Sequence, residues 1–138
     1  MGGYNEYAER CKQRAEALGV KIIFAGLVSP NERASYFEQS DVFVLPSYFL
    51  DGQIEAWGLT INECLETGTP VVATTAVGAA YDLLDGKSGL MVKENDIGEL
   101  QKGISACLNI YDARDNCKNT AKRFSVEQMV NSFFAALP

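Results

Sequence analysis

Apolar residues repeat at helical spacing in one part of the chain and run continuously in another, and the alternation of these patterns predicts the fold. Tyr7, Cys11, Ala15 and Leu18 recur on one helical face, so the pattern predicts an amphipathic helix over Asn5–Leu18, stopped by Gly19. Val20–Ala25 (VKIIFA) is short, apolar and rich in β-formers, which predicts a strand ended by Gly26. Ser29-Pro30 opens a second helix reaching about Gln39, with proline in its first turn. Asp41–Leu45 (DVFVL) reads as the next strand, and Pro46–Ala56 lacks periodicity and reads as a loop.

The second half repeats the alternation. Gly58–Glu66 is helical, with Ile61, Cys64 and Leu65 on one face and Thr60, Glu63 and Thr67 on another. Pro70–Thr74 (PVVAT) reads as a strand buried on both sides, and Gly78–Leu84 as a short helix. Turn signals at Asp85-Gly86 and Ser88-Gly89 lead into a strand at Leu90–Val92. Asp96 and Glu99 form a capping-box pattern for a helix expected to carry Ile97, Leu100, Ile104, Leu108 and Tyr111 inward. A helix follows over Ala113–Arg123. Ser125 and Gln128 repeat the box before a stripe of Val126, Met129, Val130, Phe133, Phe134 and Leu137. Apolar strands alternating with helices imply an α/β fold, a Rossmann-like parallel sheet flanked by helices, because each parallel crossover needs a helix.

Composition narrows the chemistry. The 138 residues are 47% hydrophobic, enough for a single domain over 1–138. Twelve basic against eighteen acidic residues give a net charge of −6, which argues against nucleic acid as a partner. The chain has no histidine, so a His-based triad or a histidine general base cannot be built from it, and a tetrahedral zinc site is hard to assemble. No metal site is expected. Cys11, Cys64, Cys107 and Cys117 form no C-x-x-C pair and read as buried, reduced thiols of a cytoplasmic protein. No apolar run approaches a membrane span, and MGGYNEYAER has no signal-peptide core.

In α/β sheets, ligands bind beyond the carboxyl ends of the strands, which places the Pro46–Trp57 loop and the turn after Gly26 on the functional edge. Glu55 and Glu63 stand there with seven residues between them, on either side of a helix start. The amides of Gly58, Leu59 and Thr60 lack intrahelical partners at the positive end of the helix dipole, a seat for phosphate. Glu63 lies roughly 7 to 8 Å along the axis from them at 1.5 Å per residue, about one ribose away. A carboxylate accepts two hydroxyl hydrogen bonds at once and suits a vicinal diol. Glu55 would meet whatever hangs from the distal phosphate. The bland alternative is two solvated acids flanking a core helix.

From about Val20 to its end the chain resembles the C-terminal, donor-binding domain of the retaining glycosyltransferases of family four (glycosyl transferases group 1), which have the GT-B fold. VKIIFAGLV, SDVFVLPS, EAWGLTINE, GTPVVAT with Gly78 shortly after, and DGKSGLMVKENDI carry the resemblance in order. It implies that Glu55 holds hydroxyls of the transferred sugar and serves as the catalytic residue, and that the Trp57, Gly58, Leu59 and Thr60 backbone holds the pyrophosphate and sugar. It further implies that Glu63 holds the ribose hydroxyls and that Leu27 and Val28 meet the base. The donor would be a UDP- or GDP-sugar, with no cofactor required.

Family members carry an Arg and a Lys on a first strand-loop-helix, and nothing before Asn5 supplies them; MGGY reads as the tail of that strand. The acceptor-binding N-terminal domain is missing too. The expectation is a partial, N-terminally truncated domain, inactive alone, its last helix packed on its own sheet or reaching to the absent domain. An unpaired sheet edge would invite a dimer, and the complete enzyme leaves room for peripheral membrane association. Two other readings stay open: a fragment of a GT-B-fold sugar-nucleotide 2-epimerase, and a non-catalytic binding or assembly module.

Overall fold

The computed structural model describes residues 2–137. Its centre is a parallel sheet in the order β1 (Phe43–Leu45), β2 (Val71–Thr74), β3 (Gly89–Val92), in register at Val44↔Val72 and Val72↔Leu90. Strand alternation gives the middle strand two buried faces. Val71 and Ala73 join a cluster with Ile61, Cys64, Leu65, Leu83 and Cys117 on one side. Val72 packs with Val92 and Cys107 on the other, covered by Leu100 and Ile104. All four residues of β2 are buried, as the continuous apolar run required.

The helices are α1 (Gly2–Ala17), α2 (Pro30–Glu38), α3 (Leu59–Thr67), α4 (Gly78–Leu83), α5 (Ile97–Cys107), α6 (Ala113–Arg123) and α7 (Val126–Ala135). Helix α3 packs against α2 and α6 over one sheet face while α5 crosses the other, the three-layer arrangement expected for parallel strands. Ile61, Cys64 and Leu65 point inward with no exposed surface. Ser88 Oγ donates to the Leu83 carbonyl at 2.6 Å, and the Asp85 carboxylate accepts from the Lys87 and Ser88 amides, so the turn into β3 is bonded from both ends. Burial raises the Asp85 pKa, but the hydrogen bonds from Lys87 and Ser88 outweigh it and hold the carboxyl below its ordinary value.

Four expectations need correction, and one choice left open is narrowed. Val20–Ala25 is not a strand: it is irregular, exposed and outside the sheet, because a strand needs a partner and β1 pairs with β2 alone. Gly2–Tyr4, expected as the tail of a strand, form the first turn of α1, while Met1 lies outside the described residues. The inward face of α5 is Leu100, Gly103, Ile104 and Cys107; Ile97 and Leu108 are exposed, and Tyr111 lies beyond the helix end. The Tyr7 and Leu18 ends of the α1 stripe are exposed, with only Ala15 buried. Helix α7 begins as expected, with Ser125 accepting from the Gln128 amide, and of the two placements left open for its apolar stripe, packing on its own sheet is not the one seen, since every position is exposed. Of the four thiols, Cys64, Cys107 and Cys117 are buried and Cys11 is half-buried, all free.

Candidate functional site

The site lies at the carboxyl ends of β1 and β2, where two chain segments are stitched together. Glu55 bridges to Val77 in parallel: its amide donates to the Ala76 carbonyl at 3.1 Å and its carbonyl accepts from the Gly78 amide at 2.9 Å. The Ala79 amide then donates to the Trp57 carbonyl at 2.8 Å. These bonds fix the backbone of Glu55 and Trp57 against the start of α4, although the side chains lie at the surface. Gly78 is what permits the approach, because a Cβ there would stand 2.1 Å from the Ala56 carbonyl oxygen. The bare α-carbon of Gly78 thus seats the Glu55 loop.

The loop reaching Glu55 is anchored as well. Thr74 Oγ1 donates to the Ser47 carbonyl, the Phe49 amide donates to Glu94 Oε2, and Leu50 and Gln53 form a small antiparallel bridge. A surface cavity of 480 Å³ lies between Pro46, Tyr48, Gln53 and Glu55. A larger one of 710 Å³ runs along α1 beside Val20 and Ile22, and contains none of the candidate residues. It is the uncovered side of α1, and the smaller cavity is the one joined to the site.

Gly58 turns the chain into α3. It adopts φ +88°, ψ +60° as N-cap, is buried, and a Cβ there would meet Val77 at 2.8 Å. No side chain caps α3, so its first amides, expected as the phosphate seat, remain available to a ligand. Leu59 is exposed and Thr60 half-buried. The Trp57 indole donates to Asn62 Oδ1 at 2.9 Å, tying the residue before the cap to the helix that follows.

On the second turn of α3, Glu63 Oε2 lies 3.1 Å from Arg33 Nε of α2. The separation is that of an ion pair, yet no N–H is aligned on the oxygen as a hydrogen bond, and Oε2 itself is shut off from solvent. An acceptor in that state is costly and is normally satisfied by something. Helix α2 is held in place by a complete capping box: Ser29 Oγ accepts from the Glu32 amide, while Glu32 Oε2 accepts from the Ser29 amide and hydroxyl at 2.9 and 2.7 Å. The hydrogen bonds from the Ser29 hydroxyl and then its amide lower the Glu32 pKa. Leu27 and Val28 immediately precede this box, Leu27 fully exposed and Val28 half-buried.

The structure therefore brings Glu55, Trp57, Gly58, Leu59, Thr60 and Glu63 together around one helix start. Leu27 and Val28 stand apart from them, joined through α2 and Arg33. Arg33 and Asn62 escaped the sequence reading because neither carries a periodic or motif signal, and only the α2–α3 packing gives Arg33 a partner. Among the described residues, no group of three or more His, Cys, Asp or Glu could hold a metal ion. No helix among them is long and apolar enough to cross a membrane.

The profile of the family "Glycosyl transferases group 1" matches residues 1–124. D-inositol 3-phosphate glycosyltransferase 2 of Catenulispora acidiphila is 31% identical over 116 residues, covering 80% of this chain and 26% of its own. The D-inositol 3-phosphate glycosyltransferase of Corynebacterium kroppenstedtii is 32% identical over 117 residues, 80% of this chain and 25% of its own. The chain thus spans about a quarter of the length of these relatives. HepE of Anabaena, solved in complex with UDP, superposes with a TM-score of 0.78 at 23% identity, over 99% of this chain and 39% of that one. Sucrose-phosphate synthase of Thermosynechococcus elongatus gives a TM-score of 0.62 at 23% identity, over 94% of this chain and 35% of its own. These likenesses bear out the α/β fold of GT-B type, and with the profile spanning most of its length the chain belongs to the glycosyl transferases group 1 family.

Proposed function

We propose that this chain is a single nucleotide-sugar-binding domain, the donor half of an enzyme that transfers a sugar from a nucleotide sugar to an acceptor with retention at the anomeric carbon. The observation that carries the reading is the uncapped start of α3 with Glu55 on one side and the under-satisfied Glu63 carboxylate on the other. In this reading the first amides of α3 receive the diphosphate, Glu63 the ribose diol, Glu55 the hydroxyls of the sugar, and Leu27 and Val28 the base. UDP-sugars are the favoured donors, since HepE has been solved with UDP and with UDP-glucose. No cofactor is required beyond the donor.

In the transfer, the bond from the anomeric carbon to the diphosphate oxygen breaks and a bond to the acceptor oxygen forms on the same face. The acceptor proton passes to the leaving diphosphate. The α3 amides stabilise the charge that develops on that diphosphate, a contribution larger in the transition state than in the ground state. Acceptor binding belongs to a second, N-terminal domain, and this domain alone does not turn over.

In the complete enzyme, Glu63→Ala is expected to raise donor KM about tenfold to a hundredfold, the loss of hydrogen bonds to a charged group, with kcat little changed. Glu55→Ala is expected to lower kcat by a similar factor. Unchanged kcat in the Glu55 variant, or unchanged KM in the Glu63 variant, contradicts the assigned roles.

A further inference from the structure

We infer that Arg33 is a positioning residue for Glu63, coupling the base-binding edge of the nucleotide slot to the carboxylate that receives the ribose; the inference rests on the donor-binding reading above. Three features lead to it. Arg33 sits one turn inside α2, whose start is immobilised by the Ser29–Glu32 box directly after Leu27 and Val28. The body of α2 is fixed against α3, because Phe37 is buried with Ile61 and Leu65 and its carbonyl accepts from Thr69 Oγ1 at 2.6 Å. Between these two anchored helices, Arg33 Nε meets Glu63 Oε2 at 3.1 Å.

Glu63 is an awkward residue without this partner. Its Oε2 has no contact with solvent and no aligned donor, whereas the side chain as a whole is 42% exposed, so what a ligand can reach lies on the other side of the carboxylate. Diol recognition needs that reachable side held at a constant angle, and a carboxylate free to rotate would spend binding energy on ordering. The guanidinium supplies the restraint from behind. It also offsets the repulsion that two acids, Glu55 and Glu63, would exert on an incoming diphosphate in a chain of net charge −6. Because the guanidinium is a rigid plane held against Oε2 between two anchored helices, lysine, a mobile point charge, replaces the charge but not the fixed placement.

The two contributions separate experimentally. Calorimetric titration of the chain with UDP and with 2′-deoxy-UDP reads the ribose contact as the ratio of the two affinities, while loss of charge weakens both nucleotides alike. The wild-type chain is expected to favour UDP about tenfold, the worth of one hydrogen bond to a carboxylate. Arg33→Ala is expected to bring the ratio to near one with the melting temperature little moved, and Arg33→Lys to restore the overall affinity of Arg33→Ala more than it restores the ratio. A wild-type ratio retained in Arg33→Ala overturns the positioning role and leaves donor binding standing. So does a proportional loss of both nucleotides together with a lowered melting temperature, the mark of a merely structural residue. A wild-type chain that binds neither nucleotide overturns the donor-binding reading itself, and this inference with it.

Discussion

Two apolar, β-branched runs of similar length, Val71–Thr74 and Val20–Ala25, meet opposite fates. Val71–Thr74 is the middle strand of the sheet, paired with a parallel neighbour on each edge and buried on both faces. Val20–Ala25 has no ladder, and Val20, Ile22, Ile23 and Phe24 lie exposed, the first two lining the cavity along α1. Intrinsic preference is nearly the same in both. What separates them is the availability of a partner, since a strand gains its stability from cross-strand and facing contacts that lie outside its own sequence. The candidate site inherits this asymmetry: the start of α3, with the two glutamates, stands beside the well-buried half, whereas Leu27 and Val28, proposed to meet the base, stand on the exposed one.

The largest effect separating the two runs is expected from placing one charge in each. Val72→Asp buries an uncompensated carboxylate at a position with no exposure and should cost roughly 3–5 kcal/mol or prevent folding. Ile23→Asp, at a residue 74% exposed, should stay within about 0.5 kcal/mol by chemical denaturation. Equal losses would show that Val20–Ala25 is structured as firmly as β2.

Thiol labelling draws the same contrast along the chain. Burial pushes the Cys107 thiol up to about 11 and Cys117 up to about 12, and raises Cys64 further still, so all three are protonated and covered at neutral pH. Half-buried Cys11 on α1 is expected to react with an aromatic disulfide reagent about a hundredfold faster than these three, which wait for local opening. Comparable rates for all four would contradict the tight core around β2.

The smallest effect concerns the turn into β3. Asp85 has its folded pKa below the ordinary 3.8, so its contribution to stability is present above that value and fades as pH falls through the folded one. The melting temperature should drop slightly between pH 5 and pH 3, and Asp85→Asn should reduce that drop. An identical acid response in the variant would assign the loss to other carboxylates.

The core of this architecture was legible in the chain because its signals are local. The two faces of α3, the buried run of β2, the turn at Asp85-Gly86 and the starts of α5 and α7 each depend on spacing within a few residues. The loop carrying Glu55 was legible as a loop, but not its stitching to Ala76–Ala79, which depends on Gly78 having no Cβ where the Ala56 carbonyl passes. Arg33 was silent for the same reason, since its meaning comes from a contact across two helices. The failure of the Val20–Ala25 strand and the exposure of the α7 stripe have one cause: periodicity records the capacity of a face to be buried, not the presence of something to bury it.

The claim on which the rest depends is that an anionic ligand sits on the open amides at the start of α3. Titration of isotope-labelled chain with UDP, followed by amide resonances, tests it most directly. The account predicts saturable shifts at Gly58, Leu59 and Thr60, with Glu63 and Leu27–Val28 responding alongside them and α5 and α6 unmoved. Shifts confined to the α1 cavity, or none at the α3 start while UDP demonstrably binds, would contradict it.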